Sequence, residues 1–261
     1  MARARQQLTR EARQAQVLAL LRREGTVRIA TLAKAFDVTT ETARRDLDQL
    51  ARSGALNRTY GGGASRSLTD EPGIGVRSRT HAVERGRIAR AAAGMVEAGD
   101  ALMIDCGSTT RLFAQMLAAR ELRLTVVTNC LPVARALGPN SHCRTILCCG
   151  DYVAAEDSVF GAEAGDFIRR FKANKAFIGA GGVTADGVTD ADSLGCSVKR
   201  AMIERSDRTI LIVDSSKFDV VQFERVCPLT DIDAMVSEAG PPKRLAARLD
   251  SAGVRVVVAA K

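Results

Sequence analysis

The hydrophobic period of this chain changes once, and that change limits its architecture more than any other feature. Up to about Arg52, apolar residues recur at i, i+3 and i+4; from about Val83 onward, short apolar runs alternate with helical stretches. The first pattern closes three short helices on one small core. The second reads as an α/β unit with a mostly parallel sheet. A length of 261 residues, 46% of them hydrophobic, leaves room for both at about 100–200 residues per domain. Residues 1–63 are assigned to the first domain, 64–82 to a linker and 83–261 to the second.

The longest apolar stretches, 209–213 and 256–260, fall far short of the roughly 18 residues that a membrane helix needs. The basic start, Met1-Ala2-Arg3-Ala4-Arg5, has no apolar core behind it that would make a secretory signal. A cytoplasmic protein with no membrane partner is therefore expected. Seven cysteines without CxxC spacing, set among apolar residues, argue against disulfides and zinc. Two histidines far apart, His81 and His142, leave little for a metal site or a histidine base, which weakens most hydrolase readings. Neither a metal nor a cofactor is expected.

The formal net charge of +8 is unevenly placed: residues 1–65 hold 12 Lys/Arg against 6 Asp/Glu, and residues 66–261 hold 26 against 24. A basic excess in the small helical quarter is either an arginine-rich solvated surface or a footprint for a polyanion. The motifs in that quarter favour the polyanion.

Residues 11–24 put Val17, Leu20 and Leu21 on one helical face and stop at Gly25. Thr26-Val27-Arg28 reads as a connector to a second helix carrying Ile29, Leu32, Ala33 and Phe36. Asp37-Val38 turns the chain, Thr39 or Thr40 can cap a third helix, and Ala43, Leu47 and Leu50 face inward along it to Arg52. At 100° per residue, Glu41, Arg44, Arg45 and Asp48 turn to the other side. Glu41 with Arg45, and Arg44 with Asp48, are i,i+4 pairs that contribute only about 0.2–0.5 kcal/mol each as solvated bridges. A short helix, a tight turn and a polar-faced helix opening Thr-Thr-Glu-Thr is the order that lays a helix N-terminus in the major groove. There an arginine forks to guanine or clamps a phosphate, and a threonine reaches base or backbone. Residues 55–60 then alternate and run into Gly61-Gly62-Gly63, which fits a two-stranded wing exposing Arg58 and Tyr60, with the glycines as hinge and linker.

The run from Gly25 through Thr39-Thr40-Glu41-Thr42-Ala43-Arg44-Arg45-Asp46-Leu47, followed by Leu50, Gly54, Leu56, Arg58 and Gly61-Gly62-Gly63-Ala64, resembles the winged helix-turn-helix of the DeoR family of bacterial transcriptional regulators. The resemblance implies that Thr40, Glu41, Thr42, Arg44 and Arg45 lie on the recognition helix. Arg28, Thr39, Arg58, Tyr60 and Gly62 complete the expected DNA-facing set. Arg28 stands where the family usually has a small polar cap, Thr39 replaces a common serine and Ala43 a β-branched residue.

In the second domain, strands are expected at 101–105, 124–128, 145–149, 176–179, 209–214 and 254–259, and helices at 87–97, 111–119, 131–137, 197–205 and 242–251. Ligands of such folds sit beyond the C-terminal strand ends. Asp105-Cys106-Gly107-Ser108-Thr109-Thr110 leaves the first strand and opens a helix, so backbone N–H groups, hydroxyls and the positive helix end converge there. An anion such as phosphate suits that loop, although a plain N-capping segment has the same composition. Thr128-Asn129, Cys149-Gly150-Asp151, Gly179-Ala180-Gly181-Gly182 and Asp214-Ser215-Ser216-Lys217 are also small or polar. Lys199, placed at a helix start, and Lys217 can add positive charge. The candidate effector residues are Asp105, Gly107, Ser108, Thr109, Thr110, Thr128, Asn129, Gly150, Gly179, Gly181, Lys199 and Lys217. Nucleotide motifs are absent: there is no GxxxxGK[ST], and Gly179-Ala-Gly-Gly-Val-Thr lacks GxGxxG spacing.

Asp105-Cys-Gly-Ser-Thr-Thr, Thr125-Val-Val-Thr-Asn129, Lys175-Ala-Phe-Ile-Gly-Ala180, Lys199-Arg-Ala-Met202 and Asp214-Ser-Ser-Lys-Phe218 resemble the DeoR C-terminal sensor. That sensor is related in fold to ribose-5-phosphate isomerase and the acyl-CoA transferases. The resemblance implies a phosphorylated sugar or related metabolite as effector. Asn174 and Cys196 stand where the family usually has carboxylates, so a smaller, less hydroxylated or more anionic ligand is expected.

The leading expectation is a sequence-specific DNA-binding regulator, a repressor, acting as a dimer or tetramer over operator half-sites. The rival is a phosphosugar isomerase-like enzyme with an accessory helical domain and Asp105, Asp190 or Asp214 as base. No Lys-Gly-Gly-Gly strand end like that of the isomerase is present, so no catalytic residue is assigned. A second domain that only oligomerises is the third reading.

Overall fold

The computed structural model describes residues 8–52, 55–64, 67–69 and 71–260, and only the backbone of Arg22. Gly54 of the family signature, residues 1–7, and Ser65, Arg66 and Asp70 of the expected linker lie outside the described residues. The chain divides into two compact units between Asp70 and Glu71.

The first unit runs α1 (Arg10–Glu24), β1 (Thr26–Arg28), α2 (Ile29–Phe36), α3 (Thr40–Arg52), β2 (Asn57–Thr59) and β3 (Gly62–Ala64). Thr9 opens α1 by accepting from Ala12 N (3.3 Å), and Gly25 closes it at φ 72°, a conformation that needs no Cβ. Val17, Leu21, Leu32, Leu47 and Leu56 are at most 2% exposed and form the centre of its core. The stretch 26–28 is a strand rather than a connector: Val27 pairs with Gly63 and Arg28 with Gly62, so the wing is a three-stranded sheet in the order β1-β3-β2. Gly62 and Gly63 are therefore buried strand residues and not a linker. A Cβ on Gly62 would overlap the Val27 carbonyl, which explains the glycine.

The second unit runs α4 (Ile74–Arg77), α5 (Ala82–Ala93), β4 (Ala101–Ile104), α6 (Ser108–Ala118), β5 (Leu124–Thr128), α7 (Leu131–Leu137), β6 (Cys143–Leu147), β7 (Asp151–Val153), β8 (Ser158–Phe160), α8 (Ala162–Arg169) and β9 (Ala173–Ile178). It continues through β10 (Gly182–Thr184), β11 (Gly187–Asp190), α9 (Ser193–Glu204), β12 (Ser206–Ile212), β13 (Glu224–Cys227), β14 (Ala234–Ser237), α10 (Lys243–Ser251) and β15 (Arg255–Val258). Seven strands pair in parallel in the order β15-β14-β12-β9-β4-β5-β6. Leu102, Met103, Ile104, Phe177, Ile178 and Leu211, on the central strands, are at most 1% exposed, as a sheet covered on both faces requires.

The strand order places the site. From β4 the chain adds β5 and β6 on one side, and β9, β12, β14 and β15 on the other. The order therefore reverses between β4 and β9, and the crevice of an open parallel sheet forms beyond the carboxyl ends at such a point. Residues 71–82 belong to this unit and not to a linker. Ile74 is buried and its N–H donates to Ala155 O (3.3 Å), while Arg77 pairs with Glu156. Arg85 of α5 is buried against Asp214 at 2.8 Å. All seven cysteines are free, and among the described residues no helix is long and apolar enough to cross a membrane.

Candidate functional site

Two surfaces carry the sequence-level candidates. On α3 the cap is Thr39, whose Oγ1 accepts from Thr42 N at 3.1 Å and lies 2.9 Å from Thr42 Oγ1. Thr39, Thr40, Glu41, Arg44 and Arg45 are exposed, while Ala43, Leu47 and Leu50 are buried, so the polar face points to solvent. Glu41 pairs with Arg45 at 3.2 Å and with Arg44 at 3.5 Å. Asp48 pairs with Arg58 (2.8 Å) rather than with Arg44. Arg58 also donates to Gly62 O, so it fastens the wing to α3 while remaining exposed. Tyr60 and Arg28 are exposed; Gly62 is buried and supports the sheet instead of facing DNA. Asp46, which the periodicity did not single out, is 3% exposed and bonds Arg13, including Nη2 to Oδ1 at 3.2 Å, joining α1 to α3.

In the second unit, Asp105 sits at the reversal point, fully buried at the end of β4. Its Oδ2 accepts from Gly179 N at the end of β9 (3.2 Å) and from Lys199 Nζ (3.1 Å); Lys199 also reaches Asp190 Oδ2 at 3.1 Å. Burial works against the Lys199 charge, but the two carboxylates overcome it and raise its pKa well above the usual lysine value. Burial pushes the Asp105 carboxyl up, against the pull of Lys199. Next to it, burial and Asp105 raise the Cys106 thiol so far that it is a neutral packing group and not a nucleophile.

Ser108, Thr109 and Thr110 open α6 and are at most 8% exposed; Thr110 Oγ1 donates to Gly107 O at 3.0 Å. Thr128 is committed to the framework, donating to Ile104 O (2.7 Å) and accepting from Cys130 N (3.1 Å). Asn129 donates to Val159 O at 3.1 Å. Three buried acceptors here have no partner within the described residues: Asp105 Oδ1, Asn129 Oδ1 and Gln222 Oε1. Gln222 comes from the loop before β13; its Cγ would lie 2.9 Å from a Cβ on Gly181, and Asp190 Oδ1 3.1 Å from it. Buried acceptors left without a donor cost about 1–3 kcal/mol each, so the two at the ends of β4 and β5 and the third beside Gly181 form a set suited to ligand hydroxyls.

The model of the DeoR-like helix-turn-helix domain matches residues 13–69, and that of the DeoR C terminal sensor domain matches residues 80–239. The chain belongs to the DeoR family of transcriptional regulators. The Glycerol-3-phosphate regulon repressor of Escherichia coli is 32% identical over 87% of this chain and 90% of its own length. The L-fucose operon activator of Haemophilus influenzae is 30% identical over 88% and 92%. The likeness to ribose 5-phosphate isomerase is distant: the Methanocaldococcus jannaschii enzyme matches 53% of this chain and 55% of its own at TM-score 0.40 and 15% identity. As a DeoR-family member the chain is a regulator and not an enzyme, which sets aside the isomerase reading.

Of the two departures from the DeoR pattern, Asn174 lies away from Asp105, whereas Cys196 lies one turn of α9 before Lys199 and close to Asp190. Asn174 is exposed at the amino end of β9, where its Oδ1 accepts from Ala101 N at 2.8 Å, far along the strand from Gly179. Cys196 is buried in the core and its thiol lies 3.9 Å from Glu224 O. Asp105 and Asp190 are the carboxylates that meet Lys199. Lys199 lies midway along α9, not at its start. Gly150 packs against Phe160 and Ala164 beside the β7–β8 hairpin, and no contact joins it to Asp105. Lys217 pairs with Glu71 at 2.7 Å, a partner from the segment read as linker.

Proposed function

We propose that this DeoR-family regulator is a repressor whose operator binding is controlled by a phosphorylated sugar or polyol, bound beyond the carboxyl ends of β4, β5, β9 and β12. The phosphate is placed at the start of α6, on Ser108, Thr109 and their backbone N–H groups, and the hydroxyls on Asp105, Asn129 and Gln222. The observation that carries this reading is the group of three buried, unpartnered acceptors around the sheet's reversal point, with Asp105 directly ahead of the α6 N-terminus. A relative named for glycerol 3-phosphate supports the ligand class. Arg44 and Arg45, with Thr39, Thr40 and Thr42, are assigned to the operator, and a dimer or tetramer spaces two such helices over half-sites in the cytoplasm. The effector acts by binding one arrangement of these units better than another.

The test is a thermal-shift panel of phosphorylated sugars and polyols beside their unphosphorylated parents, followed by operator binding with each hit. Phosphorylated compounds alone are expected to raise the melting temperature, with stabilisation of about 2.7 kcal/mol at a hundred times Kd. Equal shifts from the unphosphorylated parents would overturn the ligand class. A hit that leaves operator occupancy unchanged would overturn control by that site.

A further inference from the structure

Four cations near the effector site already have an acid; Arg111 of α6 does not, since it donates to the Glu156 backbone carbonyl (2.8 Å) and its Nε is buried without a partner among the described residues. Lys199 is held by Asp105 and Asp190, Arg85 by Asp214, and Arg77 by Glu156 and Glu71; Lys217 is held by Glu71. An anionic ligand that gains one of these four cations must displace a carboxylate, and the five acids differ in how they are fixed. Asp105 accepts from Gly179 N, Asp190 from Ala191 N (2.8 Å) and Asp214 from Ser216 N (3.1 Å), all backbone donors at strand ends. Among the described residues the Glu156 carboxylate has no such anchor and meets only Arg77, and neither has Glu71, whose carboxylate meets only Lys217 Nζ (2.7 Å) and Arg77 Nη1 (3.4 Å). Glu71 is nonetheless 14% exposed, and although burial alone would raise its pKa, Lys217 and Arg77 hold it at about 2. It is also the first residue of the second unit. Arg77 links it to the loop carrying Glu156, whose backbone carbonyl accepts from Arg111 of α6 at 2.8 Å, so the pair lies beside the start of that helix.

Resting on the effector reading above, we propose that Glu71 is a tethered stand-in for the effector's anionic group: its carboxylate holds the Lys217–Arg77 cation pair, and the effector binds by displacing it. Displacement frees the segment by which the DNA-binding unit is attached. The same contact that lowers affinity for the ligand thus makes binding felt outside the site.

Full-length wild type and Glu71→Gln are titrated calorimetrically with inorganic phosphate and with glycerol 3-phosphate. The variant is expected to bind at least ~10-fold tighter, the change for a site whose competent state is about one-tenth populated in wild type. Hydrogen exchange on the wild type provides a second readout that needs no variant. Saturating phosphate is expected to protect 108–111 and to speed exchange at Ile74, Arg77 and Ser78, whose amides bond Ala155 O, Gly73 O and Ile74 O. If wild type binds a probe and Glu71→Gln binds it no tighter, or if the probe protects 74–78, Glu71 is a fixed brace and the proposal fails while the effector reading stands. If neither protein binds either probe, both fall.

Discussion

Arginine, lysine and acid meet in both units, yet under opposite conditions. On α3 the side chains of Glu41, Arg44 and Arg45 are 55%, 58% and 77% exposed. In the sensor, Lys199 and Asp105 are 5% and 0% exposed. Exposed pairs are screened and contribute about 0–1 kcal/mol, so either arginine can leave Glu41 for a phosphate or a base at little cost. A buried pair that loses one partner leaves an uncompensated charge. Ionic groups free to change partners therefore lie on the open helix, and those of the candidate site are sealed at the strand ends. Glu71 is the intermediate case, half-buried and without a backbone anchor.

The widest gap between the units is expected from Lys199→Met. With two buried carboxylates left facing each other, denaturant unfolding should show about 3–5 kcal/mol of lost stability at pH 7. The loss should shrink as pH falls, because burial, no longer opposed by Lys199, favours the protonated Asp105 carboxyl. A loss that does not vary with pH would mean the triad is not ionised as described. Leu47→Ala, at 0% exposure in the first unit's core, should cost about 2–5 kcal/mol and lower that unit's melting transition without moving the sensor's.

Arg44→Ala or Arg45→Ala should leave stability within about 0.5 kcal/mol of wild type but weaken operator binding. The loss is about 1–3 kcal/mol for an arginine that reads a base; for one that clamps a phosphate, the salt slope flattens by about one. An unchanged salt series for both variants would remove α3 from the interface. The smallest effect concerns acid. Glu71 and Asp214 have lowered folded pKa values, so their contribution is present above the unfolded value of about 4 and is lost as pH falls through the folded one, about 2 for Glu71. Between pH 5 and 8 these two groups should leave the melting temperature flat, and a steep slope in that range would implicate other groups.

Where each residue's role followed from local period or turn chemistry, the sequence was legible. α3 and its cap, the stop at Gly25, β5 and α7 have the positions that periodicity predicts, because apolar spacing alone determines them. Strands whose partners are distant were read less well. β6 lies two residues earlier than predicted, and β14, four residues of Ala-Met-Val-Ser between Asp233 and Glu238, is too short to stand out. β1 looked like a connector because its partner strand is two glycines and an alanine. At the site, Asp105, Asn129 and Lys199 were legible as polar residues at strand ends or in family motifs. Glu71, Arg77, Arg85 and Gln222 were not, since each gains its meaning from a partner more than 30 residues away. Asn174 shows the converse error: a departure from a family pattern marks a place in the alignment, not a distance from the ligand.

The pairing of β4 with β9 sets a timetable. Leu102 waits for Lys175, whereas the most widely separated pairing of the wing joins Thr26 to Ala64. Local topologies close fast and distant ones slowly, and a ribosome delivers the amino end first. A nascent chain thus closes its helix-turn-helix unit while the central pairing of its sensor sheet is still waiting for β9 to be made.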